Sequence, residues 1–253
     1  MSKKYEETAV IAFNNTNARL QLTQNSLTVL FQELAIHHSD SLGYTLHYLS
    51  EEQKGWAITN WHILIDRFPK YGEEVTMQTW SPSCRRMQAE RSFRMIDSNG
   101  NIIARASSRW IYMDFKRRRP TTISKSMEED YYSGLESIIK KENYKLPKRD
   151  EENLVLEVGL SVRRSETDSN GHTNNTQYIT WAMDLVPDYI YDGYHSYDIG
   201  VVYRRECYRN SEIIAKTYVK DIAEEKEVIT CFLDANDNSI IFCEVATLWG
   251  RKD

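Results

Sequence analysis

Thr167-Asp-Ser-Asn-Gly-His-Thr-Asn-Asn-Thr-Gln-Tyr-Ile-Thr-Trp-Ala-Met-Asp-Leu185 is the stretch that organises this chain. Asp168, Asn170 and His172 put an acid, a carboxamide and an imidazole at alternate positions. Gly171 lets the backbone bend between them. Thr173, Asn174 and Asn175 supply N-cap side chains. Tyr178, Trp181, Ala182 and Leu185 follow at i, i+3, i+4 and i+7, the apolar face of a helix. Free N–H groups and the positive dipole end at such a helix start favour developing negative charge. The arrangement suits a carbonyl oxygen under attack. The plainer reading is a capped helix after a polar turn.

An earlier segment separates the two readings. Thr16-Asn-Ala-Arg-Leu-Gln-Leu-Thr-Gln-Asn-Ser-Leu-Thr-Val-Leu-Phe-Gln-Glu-Leu34 falls on the first stretch when moved by 151 residues. Leu27, Leu30, Phe31 and Leu34 then meet Tyr178, Trp181, Ala182 and Leu185. The helical pattern is shared, but Arg19 stands against Asn170 and Gln21 against His172. Later segments correspond too. Glu74–Trp80 resembles Glu212–Tyr218, and the hairpin Met95–Ala104 with Trp110 resembles Phe232–Ile241 with Trp249, the offset drifting to about 138. The chain reads as an internal duplication, each copy one long helix followed by several antiparallel strands. A helix buries its stripe in a curved sheet wrapped round it, so the fold expected is α+β. Thr8–Phe13 reads as the first strand. The boundaries expected are 1–125, a charged linker at 126–153 with a helix over Met127–Lys141, and 154–253. A structural cap would serve both helices, so polar groups confined to the second copy point to a specialised role.

Bulk properties narrow the function. With 41% hydrophobic and 27% charged residues, the chain builds a substantial core. A net charge of −5 gives no cationic field for nucleic acid. No signal peptide opens the sequence and no run reaches the roughly 18 apolar residues of a membrane span. Cys84, Cys207, Cys231 and Cys243 lack metal-ligand spacing, so neither zinc nor a disulfide framework is expected, and a cytoplasmic location is.

Two separated motifs carry a resemblance. The Asp-x-Asn-x-His-x-Asn-Asn run, Asp168 to Asn175, and Tyr203-Arg-Arg-Glu-Cys207 occur in order, with 34 residues from His172 to Glu206. Trp61, Ile65-Asp-Arg-Phe-Pro-Lys-Tyr-Gly72, Thr79-Trp80 and Ala106-Ser-Ser-Arg-Trp110 add to them. Over roughly residues 5–250 the chain resembles the acyl-ACP thioesterases of plant plastids and bacteria. Without a transit region, the bacterial branch is the nearer.

The resemblance implies a tandem double hotdog that hydrolyses fatty acyl-ACP to fatty acid and holo-ACP, with no metal or dissociable cofactor. It implies a catalytic group of Asp168, Asn170, His172 and Glu206. Glu206 would activate water, and Cys207 is the competing nucleophile. In a regular strand Glu206 and Cys207 point to opposite faces, so both would not meet His172. Asn174 and Asn175 would contact the thioester through helix-start N–H groups, and Leu27, Leu30, Phe31 and Leu34 would line an acyl channel in the first copy. The carrier is acidic, which makes Lys116, Arg117, Arg118 and Arg119 candidates for docking it, beside Arg85–Arg86 and Arg204–Arg205. The rival readings are an acyl-CoA thioesterase, a hydroxyacyl dehydratase, or an acyl-binding protein without turnover. Monomer and homodimer are both compatible. His37 and His38 read as helix C-terminal cations.

Overall fold

The two segments that superpose in sequence take up the same backbone. The computed structural model describes residues 4–139, 146–168 and 171–252. It divides into two compact units, Met1–Glu142 and Asn143–Asp253. The first unit runs β1 (Tyr5–Val10), α1 (Gln24–Ser41), α2 (Leu46–Glu51), β2 (Lys54–Ile65), β3 (Glu74–Arg85), β4 (Gln88–Asp97), β5 (Ile102–Asp114), β6 (Arg119–Pro120) and α3 (Lys125–Tyr131). The second runs β7 (Leu154–Ser161), α4 (Gln177–Asp184), α5 (Asp188–Gly193), β8 (Tyr194–Tyr203), β9 (Glu212–Ile222), β10 (Glu225–Asp234) and β11 (Ile241–Arg251). The pairings described between these strands within each unit are antiparallel. Strand order is β1-β3-β4-β5-β2 in the first unit and β7-β9-β10-β11-β8 in the second, the same topology twice.

Each sheet closes on a helix. Thr23 caps α1 by accepting the Ser26 N–H at 3.1 Å, and Leu27, Phe31, Leu34 and Ala35 turn inward while Leu30 is half-buried. Phe31 stacks on Phe93 of β4, whose ring also meets Trp61 of β2. In the second unit Tyr178 and Trp181 of α4 pack on Phe232 of β10. These apolar contacts, worth about 1.5–3 kcal/mol per fully buried side chain, hold each helix in its sheet.

Several expectations are corrected. The first strand is Tyr5–Val10 rather than Thr8–Phe13, because the chain turns at Phe13–Asn15. The second helix is short, eight residues against eighteen in α1. The Asn174 side chain accepts the Thr176 N–H and hydroxyl and delays the start to Gln177. Pro187, whose ring cannot continue a helix, separates α4 from α5. The helix expected over Met127–Lys141 ends at Tyr131, since Ser133 bonds the Ser81 carbonyl through both its N–H and its hydroxyl, and Gly134 takes a positive φ of 74°. The end of the expected span, residues 140–141, lies outside the described residues. Met127 and Tyr131 of this helix fill a core cluster with Leu49, Cys84, Tyr112 and Ile123. Among the described residues no helix is long and apolar enough to cross a membrane.

His38 is not a helix-end cation. It is buried, stacks on Tyr5, and its Nδ1 faces the buried Arg91 guanidinium at 2.7 Å. Burial first, then the Arg91 charge, pushes its pKa down to about 3. Between pH 6.5 and about 3 the unfolded chain binds a proton that the folded chain does not. Stability is therefore expected to fall as pH drops through that window, by up to about 1.4 kcal/mol per pH unit from this group. Urea unfolding of wild type and His38→Gln across pH 4–7 checks it; equal slopes would contradict it.

Candidate active site

The loop before α4 is built by backbone hydrogen bonds that recur, residue for residue, in the first unit. The Thr167–Thr173 and His172–Tyr208 bridges match Thr16–Leu22 and Gln21–Lys70 at the offsets 151 and 138 read from the sequence. The Thr173 N–H donates to the Cys207 carbonyl at 2.7 Å, as Leu22 does to Pro69 at 2.9 Å. Gly171 has φ +77°, and its counterpart Leu20 accepts +56°.

Asp168 belongs to this shared scaffold. Its carboxylate accepts the His172 N–H at 3.0 Å, and Asn17 accepts the Gln21 N–H in the same way at 3.1 Å. This bond to the His172 backbone fits a loop-holding role. Asn170 lies outside the described residues.

What the second unit adds is a pair of side chains. His172 Nε2 lies 3.6 Å from Glu206 Oε2. The Tyr208 hydroxyl donates to that same oxygen at 2.7 Å, and its ring stands edge-on to His172 with centroids 5.0 Å apart. The matching positions in the first unit are Gln21, Phe68 and Lys70, without the carboxylate or the imidazole. Glu206 is 46% exposed and His172 25%, so water reaches the pair. Tyr208 was missed in the sequence. Two residues beyond Glu206, it occupies the spacing at which an extended chain returns to the same face.

Cys207 is separated from this pair. Arg204–Cys207 follow the end of β8 and are not regular strand, which corrects the premise of the alternation argument. Cys207 is nonetheless turned inward, 2% exposed, with its thiol beside the buried Tyr178. Burial is the main cause raising the Tyr178 pKa. Among the described residues, no hydrogen bond joins the Cys207 thiol to His172.

The helix-start N–H groups are mostly engaged. His172, Thr173, Asn174, Thr176 and Gln177 donate to Asp168, Cys207, Glu166 and, for the last two, Asn174. The Asn174 N–H, expected to polarise a carbonyl, is thus taken by Glu166 at 2.8 Å. Of this run only the Asn175 N–H has no acceptor among the described residues. The Tyr203 hydroxyl anchors that residue by donating to its carbonyl at 2.9 Å.

The remaining candidates lie in the first unit. Leu27, Phe31 and Leu34 are closed off in its core. Lys116, Arg117 and Arg118 lie in the exposed turn between β5 and β6 and Arg119 opens β6; Arg117 reaches Asp114 at 3.8 Å.

A sheet closed on a helix, repeated within one chain, with a carboxylate and an imidazole at the entry to the second helix, defines a double hotdog protein. The chain matches the acyl-ACP thioesterase N-terminal domain over residues 2–131 and the C-terminal domain over residues 148–251. It belongs to the acyl-ACP thioesterase family. An oleoyl-acyl carrier protein thioesterase of Arabidopsis thaliana is 27% identical over 228 residues, 84% of this chain and 63% of the relative. A dodecanoyl-[acyl-carrier-protein] hydrolase of Umbellularia californica is 26% identical, over 87% of this chain and 61% of the relative. The chain thus spans less than two thirds of either plant protein. In fold it is similar to an acyl-ACP thioesterase from Bacteroides thetaiotaomicron, with TM-score 0.85 and 23% identity over 98% of both chains. A 12:0-ACP thioesterase from Umbellularia californica gives TM-score 0.87 and 22% identity over 99% of this chain and 95% of that one.

Proposed function

We propose that this chain hydrolyses the thioester of fatty acyl-ACP to free fatty acid and holo-ACP, with Glu206 as the general base. The Glu206–His172 pair, present in one copy of a duplicated scaffold and absent from the other, carries the reading. Family membership supports it.

Glu206 takes a proton from water as the oxygen attacks the thioester carbon. The carbonyl oxygen becomes an oxyanion, which accepts from the Asn175 N–H and the Asn170 carboxamide. Collapse breaks the C–S bond, and the proton held by Glu206 passes to the departing thiolate. His172 orients the water and the carboxylate; Asp168 holds the loop. Cys207 packs below the site and forms no bond to the substrate. The acyl chain runs along α1, with Leu30 at its accessible edge and Leu27, Phe31 and Leu34 behind. Four buried, unpaired cysteines favour a reducing cytoplasmic location. Two basic surfaces offer themselves to an acidic carrier, the Lys116–Arg119 turn and the arginines around Glu206.

Tyr208 tunes the base. A hydrogen bond donated to a carboxylate stabilises its charged form. Tyr208→Phe is therefore expected to raise the Glu206 pKa and move the acid limb of kcat/KM up by about half a unit to one unit. A pH–rate profile on acyl-ACP checks this, and an unmoved limb would contradict it. The function itself is tested by fatty acid and holo-ACP appearing one for one; acyl-ACP left intact by folded protein would overturn it.

A further inference from the structure

We propose that Arg164 and Arg209, flanked by Arg163 and Arg205, form the surface on which the acidic face of the carrier protein docks. This rests on the acyl-ACP reading and adds where the carrier sits. The loops carrying these residues make one rim. Val162 exchanges backbone hydrogen bonds with Asn210 and Ser211, His172 bridges Tyr208, and Asn174 bonds Glu166. All four arginines on the rim are exposed.

The duplication gives two of them matched positions in the first unit. Ile11 makes the same exchange with Gly72 and Glu73. On that scaffold the counterparts of Arg164 and Arg209 are Phe13 and Tyr71, whose exposed rings touch edge-to-face at 6.1 Å. Where the first unit places two aromatic residues, the second places two arginines at the corresponding backbone positions.

Like charges so placed repel, and an anionic partner relieves the repulsion. No ion pair joins Arg163, Arg164, Arg205 or Arg209 to a carboxylate among the described residues. Other arginines are neutralised. Arg204 holds the buried Glu244 at 2.6 Å, and Arg67, the counterpart of Arg205, holds Glu73 at 2.5 Å. The acids of the rim are engaged: Glu166 accepts the Arg163 N–H and the Trp181 indole, Asp168 the His172 N–H, and Glu206 the Tyr208 hydroxyl. The exposed Asp237 also lies within electrostatic reach of Arg205. Three of the four rim arginines thus have no basic counterpart in the first copy, and the fourth counterpart, Arg67, is paired with Glu73. Four exposed arginines spread over two loops suit a protein surface better than a single phosphate.

The test is binding of apo-ACP, which lacks the phosphopantetheine arm, by fluorescence anisotropy at low salt. Wild type is expected to bind, and to weaken as salt rises. Arg164→Glu/Arg209→Glu is expected to raise Kd at least about tenfold with an unchanged melting temperature, and the milder Arg164→Gln/Arg209→Gln to fall between. Apo-ACP that does not bind wild type would overturn the proposal. So would unchanged Kd in both variants, or a larger loss in Arg117→Glu/Arg119→Glu. Coenzyme A displaced from wild type but not from the variant, with apo-ACP inert, would assign the rim to a phosphate instead. Hydrolysis of acyl-pantetheine by wild type reports on the thioesterase reading separately.

Discussion

Glu206→Gln is expected to lower kcat/KM on acyl-ACP by about 10²- to 10⁴-fold, the range a positioned general base contributes. Glutamine keeps the shape and can still accept from Tyr208, so the loop geometry set by the Thr173–Cys207 bond is retained. What is lost is the acceptor for the water proton. Cys207→Ala provides the contrast. Its side chain is buried and has no hydrogen bond to His172 among the described residues, so the variant is expected to turn over substrate once folded. A steady-state comparison of the two checks the assignment. Loss in Cys207→Ala with activity kept in Glu206→Gln would reverse it.

The second large effect is expected from removing one N–H. Asn175 sits between the Asn174 carbonyl and the Gln177 N–H that closes on it at 2.9 Å, the second position of a tight turn, which accepts proline. Asn175→Pro keeps the carbonyl held by Tyr203 and deletes the proposed oxyanion donor. Loss of such a donor costs about 2.7–4 kcal/mol of barrier, or roughly 10²- to 10³-fold in kcat. Asn175→Ala retains the N–H and is expected to stay within about tenfold of wild type on that basis. Equal losses in the two variants would assign the effect to the side chain and contradict the backbone role.

Much of this was legible in the sequence because duplication turns one chain into two aligned readings. The offsets of 151 and 138 between apolar patterns reappear as paired backbone bridges, since burial fixes the register in which a strand can pair. The Glu206–His172 encounter followed from the motifs. What sequence left out is mostly a matter of local competition. Asn174 reads as an N-cap, yet its side chain holds a turn ahead of the helix. Asp168 read as orienting His172 or holding the loop, and Asn17 makes the same bond in the other copy, which fits the second of these. His38 read as a dipole-stabilised cation because its contact with Arg91, 53 residues away, is tertiary. Tyr208, Arg164 and Arg209 became visible only once the loops were seen bonded to one another.

The most direct test follows acyl-ACP, fatty acid, holo-ACP and the intact mass of the chain together by mass spectrometry, for wild type and Glu206→Gln. The account predicts fatty acid and holo-ACP in equal amounts from wild type, no acyl adduct on the chain, and acyl-ACP left essentially intact by the folded variant. An acyl adduct on Cys207, or undiminished turnover by Glu206→Gln, would contradict it.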